Sequence, residues 1–464
     1  MTDFHYMSLA EAGALIRRGD ISPVDYANAL LERIEAIDGG LDAFLEVAKD
    51  QALADAKAAE TEIAAGEWRG PMHGIPYGLK DIIDYAGLRT TAHSKILEDN
   101  VAGRDATVTA KLKDAGAVFL GKTSTHEFAL GGPSFDLPWP PARNPWNRGR
   151  HPGGSSSGSG AAVASGMLPA ALGSDTGGSV RHPASMCGIV GMKPTYGRVS
   201  RAGVVPLSFS LDNVGPMTRT VEDNAILLGA ICGHDGRDPA SARAHVPDFT
   251  EGIGQGVEGL RIGHLRHFYT TDMEAEPDMA AAIDDAAERF AALGAVVEEV
   301  ELEPLSDYAG VNRVILTSEA YAVHEQWLKQ RPGDYAHFTR ERLLPGAFMR
   351  AADYIQALRH RERMKNAYAE LMRDYHVLLT ASSMQTACAI DDEAAIERTY
   401  ARQARTPFNV VGGPALVVPA GFAQDGLPLS IQLAGRAFDE AMLYRVGHAL
   451  EQATDWRHRH PPVD

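Results

Sequence analysis

Three side chains in the first half of the sequence have the chemistry of a nucleophile and its base. Ser155 and Ser179 lie in the glycine-rich runs PGGSSSGSG and GSDTGGSV, and Lys80 lies upstream in GIPYGLKD. Glycine adopts backbone conformations that a Cβ atom forbids, so such runs let the main chain approach a ligand closely. Two serines and a lysine in apolar surroundings predict a serine hydrolase that needs no histidine base.

Ser179 has the setting expected of the nucleophile. It follows a strand predicted over residues 170–173 and a tight turn, and it precedes VRHPASMCG, which is predicted to start a helix. Main-chain N–H groups at such a turn lack intrahelical partners and point outward with the helix dipole behind them. The donors predicted to bind the oxyanion of an attacked carbonyl are the N–H groups of Thr176, Gly177, Gly178 and Ser179. The alternative role for Ser179 is that of a helix N-cap, for which serine is a leading residue.

Ser155 has competing interpretations too. Most Gly/Ser runs are flexible loops, but this one is followed directly by the helix-forming segment AAVASG. A loop that enters a helix can bind phosphate, yet a Walker-type loop ends in Lys-Ser or Lys-Thr, and no lysine follows here. Ser156 is central in GSSSG, which fits the G-x-S-x-G nucleophile elbow, but the preceding NPWNRGRHPG does not resemble the buried strand that this elbow requires.

Lys80 is the candidate base. Burial disfavours the charged ammonium and lowers the pKa of a lysine, which makes it usable as a base near neutrality. The alternative is an ion pair with Asp81 or Asp84 at a strand end. A histidine base is not favoured, because no carboxylate is assigned to the histidines that flank the same segments, His73, His126, His151 and His182.

The bulk composition favours a soluble, cytoplasmic protein. A net charge of −17 disfavours nucleic-acid binding, which needs a basic surface. Cys187, Cys232 and Cys388 are odd in number and far apart, which predicts neither a disulfide framework nor a zinc site. No stretch approaches the roughly 18 consecutive apolar residues of a membrane span, and the N-terminus lacks a signal peptide's apolar core.

Alternating short strands and helices predict an α/β protein whose sheet is covered by helices on both faces. Ser8 and Ser22 are predicted helix N-caps. The strands are predicted over 43–47, 76–83, 117–120, 170–173, 260–265, 296–300, 377–380, 415–419 and 429–435. One large domain over 1–464 is expected, with N-terminal helices (1–65), a catalytic core (66–235), a helical substrate-shaping region (236–375) and a C-terminal return to the sheet (376–464).

Several long segments, in order, resemble the amidase signature family. They are GIPYGLKDII, GKTSTHEFALGG, NPWN, PGGSSSGSGAAVASG, GSDTGGSVRHPASMCGIVGMKPTYGRVSRAG, SLDNVGPMTRT, TPFNVVGGPALVVPAGF and GLPLSIQLAGR. The resemblance covers nearly the whole chain and is highly specific. It implies a single large domain with a mixed central β-sheet.

The resemblance implies a Ser-cisSer-Lys triad of Ser179, Ser155 and Lys80. Neutral Lys80 would take a proton from Ser155, which would deprotonate Ser179 as it attacks a carbonyl. Asp175, Arg181 and Ser156 are expected to brace the site. No cofactor or metal is implied.

Three residues depart from the family pattern. Ser157 replaces the usual glycine, Gly160 the common alanine, and Ser124 the usual asparagine. None belongs to the triad, but Ser124 is expected to alter hydrogen bonds beside it.

The leading functional prediction is a stand-alone amidase that cleaves a small or aromatic carboxamide, with homodimerisation open. The first alternative is the glutamine-hydrolysing A subunit of a tRNA-dependent amidotransferase, which passes ammonia to a partner. The tyrosine-rich, glycine-containing segment expected of that protein is not found in GDYAHFTRERLLPGAFMRAADY. The second alternative is a non-catalytic family member used for binding or assembly.

Overall fold

Local sequence signals account for the first helix boundaries of the computed structural model, which describes residues 4–463. The Ser8 side chain accepts the main-chain N–H of Glu11 at the start of the first helix. Ser22 accepts the N–H of Val24 at the start of the second. Both predicted N-caps are therefore confirmed.

Helices pack around a single sheet and make up most of the regular structure. Their bounds are α1 Leu9–Arg18, α2 Pro23–Ile37, α3 Lys49–Ala64, α4 Thr107–Asp114, α5 Ser157–Ala164, α6 Arg181–Cys187, α7 Val221–Ile231, α8 His267–Thr270, α9 Pro277–Ala292, α10 Leu305–Gln330, α11 His337–Leu343, α12 Ala351–Leu371, α13 Glu393–Ala401, α14 Thr406–Val411 and α15 Glu440–Gln452.

Within the described residues, the sheet has eleven strands in the order β1-β3-β2-β4-β6-β5-β10-β11-β9-β7-β8. Their bounds are β1 Phe44–Val47, β2 Pro76–Lys80, β3 Val118–Thr123, β4 Ala170–Asp175, β5 Val190–Lys193, β6 Asn213–Thr218, β7 Arg261–His264, β8 Val296–Glu299, β9 Val377–Thr380, β10 Ala415–Phe422 and β11 Pro428–Gly435. Strands from both ends of the chain join this one mixed sheet, so the predicted fold class is confirmed.

The central strands bring the candidate residues to one edge of the sheet. Strand β2 runs parallel to both β3 and β4, with Leu79 opposite Leu172. Because parallel strands end at the same edge, Lys80 at the end of β2 lies beside Ser174 and Asp175 at the end of β4. The sheet register thus sets the position of the candidate base.

Some boundaries differ from the prediction. Helix α5 begins at Ser157, whereas the sequence pattern predicts a start at residue 161. Serine and glycine are weak helix formers, but this turn is fully buried, and a Cβ atom on Gly158 would clash with the Ser124 main-chain nitrogen. Tertiary packing therefore overrides local propensity here.

Strands β5 and β6 were not predicted.

The three cysteines are free thiols buried within the fold. Across residues 4–463, no helix combines the length and the apolar character needed to cross a bilayer.

Candidate active site

Lys80 is fully buried and contacts two serine hydroxyls. Its Nζ donates hydrogen bonds to Ser155 Oγ at 2.7 Å and to Ser174 Oγ at 2.8 Å. The predicted alternative, an ion pair with a neighbouring aspartate, is wrong, because Asp81 pairs instead with Lys122 at 3.1 Å. Within the described chain, no carboxylate lies within salt-bridge distance of Lys80.

The surroundings of Lys80 favour its neutral form. Burial lowers the pKa of Lys80 to about 7, and this effect outweighs the opposing influence of the Asp175 and Asp212 carboxylates. A substantial fraction of the side chain is then an uncharged amine at neutral pH. Its lone pair can accept the Ser155 hydroxyl proton.

Ser155 is held by main-chain hydrogen bonds on both sides. The Gly154–Ser155 peptide bond is cis, and the main-chain N–H of His126 donates to the Ser155 carbonyl oxygen at 3.0 Å. The N–H of Ser156 donates to the carbonyl oxygen of Ser179 at 3.2 Å. Ser155 and Ser179 thus line the same cleft, although no hydrogen bond joins their hydroxyls within residues 4–463.

The Ser179 side chain does not cap helix α6. The N-cap residue is Val180, and no side-chain cap bond is made there. The Asp175 carboxylate accepts the N–H groups of Gly178 at 2.8 Å and Val180 at 3.2 Å instead. The Ser179 hydroxyl is therefore free of the capping role that serine usually has at such a turn.

The same hydrogen bonds narrow the choice of oxyanion donors. The Gly178 N–H is occupied by Asp175, so it is not available to a substrate. The main-chain N–H groups of Thr176, Gly177 and Ser179 have no acceptor among the described residues. The Thr176 hydroxyl donates to Asp212 at 2.6 Å, which anchors the start of the turn.

Asp175 and Arg181 form a buried ion pair behind the turn. Two guanidinium nitrogens of Arg181 donate to the carboxylate, at 2.9 and 3.0 Å. Although burial raises the pKa of Asp175, the Arg181 charge and hydrogen bonds outweigh it and hold that pKa well below its usual range. Arg181 also donates to Asn409 and Gln432, both at 2.6 Å.

Sequence reasoning missed four residues of this site. Ser174, the second partner of Lys80, carried no signal beyond its place in GSDTGGSV. Asp212 lay in SLDNVGP, and Asn409 and Gln432 lay in the C-terminal segments quoted for the family resemblance. Ser156 was predicted, and its Oγ accepts the N–H of Ser174 at 3.2 Å.

The flanking histidines are buried and do not contact the serine hydroxyls. His182 Nδ1 accepts the Gly154 N–H at 3.3 Å, and His126 Nδ1 lies 3.0 Å from the Tyr400 hydroxyl. Burial lowers the pKa of the His126, His151 and His182 imidazoles, that of His151 to about 3. His73 lies elsewhere and pairs with Glu62 at 3.0 Å. Neutral imidazoles therefore surround Ser155 without contacting its hydroxyl.

Ser124 contacts His93 rather than the triad. Its Oγ lies 3.3 Å from His93 Nδ1, and its carbonyl oxygen accepts the N–H of Gly158. Ser124, where the family usually has asparagine, therefore contacts the first turn of helix α5. No group of three histidine, cysteine or acidic side chains within residues 4–463 is placed to hold a metal ion.

A cleft of about 1080 Å³ opens above Ser155 and Ser179. Helices of the region expected to shape the substrate site contribute to its wall, through residues such as Asn312, Arg342 and Met349. Phe128 packs against His324 in the core and does not line the cleft. Its neighbours 129–131 reach the cleft.

The chain as a whole has counterparts among known proteins. The Amidase family model matches residues 25–444. The chain is 39% identical to the A subunit of the glutamyl-tRNA(Gln) amidotransferase of Moorella thermoacetica, over 99% of this chain and 99% of that protein.

Two solved structures give the same picture at the level of the fold. The peptide amidase of Stenotrophomonas maltophilia superposes with a TM-score of 0.87 at 32% identity, covering 99% of each chain. A protein from a vestigial complex, described as revealing the evolutionary origins of an s-triazine catabolic enzyme, superposes with a TM-score of 0.90 at 33% identity. That superposition covers 96% of this chain and 98% of the other.

Proposed function

This chain belongs to the amidase signature family, and on that premise we propose that it cleaves a small or aromatic carboxamide through an acyl-enzyme on Ser179. Membership makes it a hydrolase of carbon–nitrogen amide bonds. The observation that carries the proposal is the 2.7 Å contact between Lys80 Nζ and Ser155 Oγ at the foot of the cleft. A buried lysine whose partners are hydroxyls is suited to proton transfer rather than to ion pairing.

Acylation begins when the Ser179 oxygen attacks the amide carbonyl carbon. The Ser179 proton passes to Ser155 while the Ser155 proton passes to the neutral amine of Lys80. The carbonyl electron pair moves onto oxygen, and the resulting oxyanion accepts hydrogen bonds from the N–H groups of Gly177 and Ser179.

Collapse of this intermediate breaks the carbon–nitrogen bond. The leaving nitrogen takes a proton from Ser155, which regains one from the Lys80 ammonium, so the relay returns to its starting state. Water then attacks the ester on Ser179 by the same steps. The products are a carboxylate and ammonia or an amine.

A panel of amides assayed for ammonia or amine release tests the proposal. We expect turnover by the wild-type protein and its loss, to the background rate, in Ser179→Ala. A fluorophosphonate probe should label the wild type and not the variant, with the adduct found on Ser179 by mass spectrometry. Full turnover by Ser179→Ala would refute the nucleophile assignment, and an unlabelled wild type would favour the non-catalytic alternative.

A second candidate is the glutamine-hydrolysing A subunit of a tRNA-dependent amidotransferase. The observation that favours it is the near-complete alignment with the Moorella protein at 39% identity. On the curated relatives alone, this candidate is better supported than a stand-alone enzyme.

The two candidates differ in what the purified single chain does. A stand-alone amidase is expected to turn over members of the amide panel without any other protein. L-Glutamine hydrolysis that appears or rises strongly only in the presence of the B and C subunits of an amidotransferase would establish the second candidate. Panel turnover with no response to those subunits would establish the first.

A further inference from the structure

Arg405 is a buried cation without a carboxylate partner. It is 1% exposed, and its guanidinium donates to the Ser382 carbonyl oxygen at 2.9 Å and to Ser383 Oγ at 2.6 Å. Its Nε is fully buried and has no acceptor among residues 4–463. No carboxylate of those residues lies within salt-bridge distance of the guanidinium. Buried charges in proteins are normally paired, so this arrangement calls for an anion from outside the chain.

The unpartnered nitrogen lies beside the candidate nucleophile. A Cβ atom on Gly178, next to Ser179, would clash with Arg405 Nε, and Arg405 lines the cleft with Ser155 and Ser179. The nearest acidic group at this turn, Asp175, is already paired with Arg181. Asp212, which anchors the start of the turn, forms no ion pair with Arg405 among the described residues either.

Two further arginines of the cleft also lack ion-pair partners. Arg342 donates to the Gly131 carbonyl oxygen at 3.0 Å and lies over the Tyr400 ring, and Arg313 lines the same cleft. Neither lies within salt-bridge distance of a carboxylate in residues 4–463.

Three acidic residues also line the cleft, but none of them forms an ion pair with Arg405 among the described residues. They are Asp272, Glu341 and Glu397. Asp272 accepts the N–H of Leu305 at 2.8 Å, and Glu341 pairs with His337 at 3.4 Å. Arg405, beside Ser179, therefore has no carboxylate within salt-bridge distance among residues 4–463.

We propose that the substrate is an amide that also carries a carboxylate, and that Arg405 binds this carboxylate. The inference rests on the proposed amidase function and specifies its substrate class. The guanidinium and carboxylate would form charge-assisted hydrogen bonds, which are stronger than neutral ones and select for geometry. A substrate without the carboxylate would leave Arg405 buried and unpaired.

Matched compounds test the proposal on the wild-type protein. In the first pair, succinamate carries a carboxylate on the acyl side of the amide, and 4-oxopentanamide is its neutral counterpart. In the second pair, N-acetylglycine carries the carboxylate on the leaving amine, and N-acetylethanolamine is its neutral counterpart. Turnover gives kcat/KM, and protection of Ser179 from the fluorophosphonate probe gives Kd even where turnover is slow. We expect the carboxylate member of at least one pair to be favoured at least tenfold. Equal values in both pairs, or no protection by either carboxylate, would overturn the proposal.

Variants separate substrate binding from a role in stabilising the oxyanion. Arg405→Met should reduce the carboxylate preference to about twofold or less, mainly through KM, and Arg405→Lys should retain part of it. Arg373→Met is the control, since Arg373 is exposed and does not line the cleft. If Arg405→Met instead lowered kcat equally for charged and neutral amides, Arg405 would serve the oxyanion and the proposal would fail.

These outcomes are distinct from failure of the amidase function. Should Ser179→Ala retain turnover, the proposed function fails whatever the charge preference. Should Ser179→Ala lose turnover while the wild type ignores the carboxylate, only the substrate inference fails. If Arg405→Met does not fold, the wild-type comparison decides alone.

Discussion

At the scale of single residues, the proposed chemistry depends on a lysine that burial keeps close to neutral. Among the described residues, the hydrogen-bond partners of the Lys80 side chain are two hydroxyls, and the carboxylates that raise its pKa, Asp175 and Asp212, act from a distance. An ion pair would hold the ammonium charged and make it useless as a base. Its partners therefore matter as much as its burial.

The fall of kcat/KM on the acid side of the pH–activity profile should reflect protonation of Lys80. Because the free amine is the active form, kcat/KM should be full above a pH of about 7 and fall tenfold per unit below it. Lys80→Met should remove this fall and lower kcat by about 10²–10⁴-fold. Initial rates with a saturating and a dilute amide, measured from pH 5 to 9, check both expectations.

Lys193 provides a matched control for that profile. Burial lowers the pKa of Lys193 to about 7 as well, but its Nζ donates only to the Pro194 carbonyl oxygen at 2.8 Å. Lys193→Met should therefore leave the fall in place. If the fall of kcat/KM at low pH persisted in Lys80→Met and disappeared in Lys193→Met, Lys80 would not be the base.

At the scale of elements, the turn between β4 and α6 presents the candidate nucleophile. Its backbone curls because the Asp175 carboxylate gathers the N–H groups of Gly178 and Val180. Gly178 has a φ of 123°, a conformation that side chains rarely adopt, and its Cα faces Arg405. The turn thus depends on the absence of a Cβ atom at this position.

Gly178→Ala should damage both stability and activity. The added methyl group would overlap the Arg405 side chain in a strained backbone, so we expect a loss of about 1–3 kcal/mol or more in the free energy of unfolding. Gly177→Ala is the matched comparison, since its Cβ would meet Asn312 at an ordinary 3.5 Å without a positive φ. Urea unfolding of the two variants measures the difference, and equal losses would contradict the strain at Gly178.

At the scale of the whole molecule, the Asp175–Arg181 pair joins the middle of the chain to its C-terminal segment. Arg181 donates to the carbonyl oxygen of Arg405 at 2.9 Å and to Gln432 and Asn409 at 2.6 Å. The turn that carries Ser179 is thereby tied to β11 and α14. Folding of the C-terminal region is accordingly a condition for forming the site.

Removing one member of this pair should be costly. Arg181→Leu would leave the Asp175 carboxylate buried without its counterion, with an expected loss of about 3–5 kcal/mol in the free energy of unfolding. Since the pKa of Asp175 is lowered in the folded state, its stabilising contribution is present above the unfolded pKa of about 4 and is lost as pH falls. Denaturant unfolding at pH 7 and pH 3 checks this expectation. The difference in the free energy of unfolding between the wild type and Arg181→Leu should be smaller at pH 3. A deficit independent of pH would point to lost packing instead.

Several elements could be predicted because their signals are local. Strand β9 has the predicted bounds, and the capping serines Ser8 and Ser22 act on N–H groups within three residues. The start of α5 was missed because it depends on how closely Gly158 approaches Ser124 across the fold. The bracing residues Asn409 and Gln432 were missed for the same reason, since nothing near them in the sequence indicates a partner at Arg181.

The sequence by itself determined the residue types that can do the chemistry, the glycines that let the chain turn tightly, and most of the strands and helices, because these depend on neighbours along the chain. Only the tertiary structure decided that Lys80 contacts Ser155 and Ser174, that Asp175 takes the Gly178 N–H, and that Arg405 remains unpaired. Most of these contacts join segments far apart in the sequence. Their distances follow from the sheet register and side-chain packing, which no local propensity specifies.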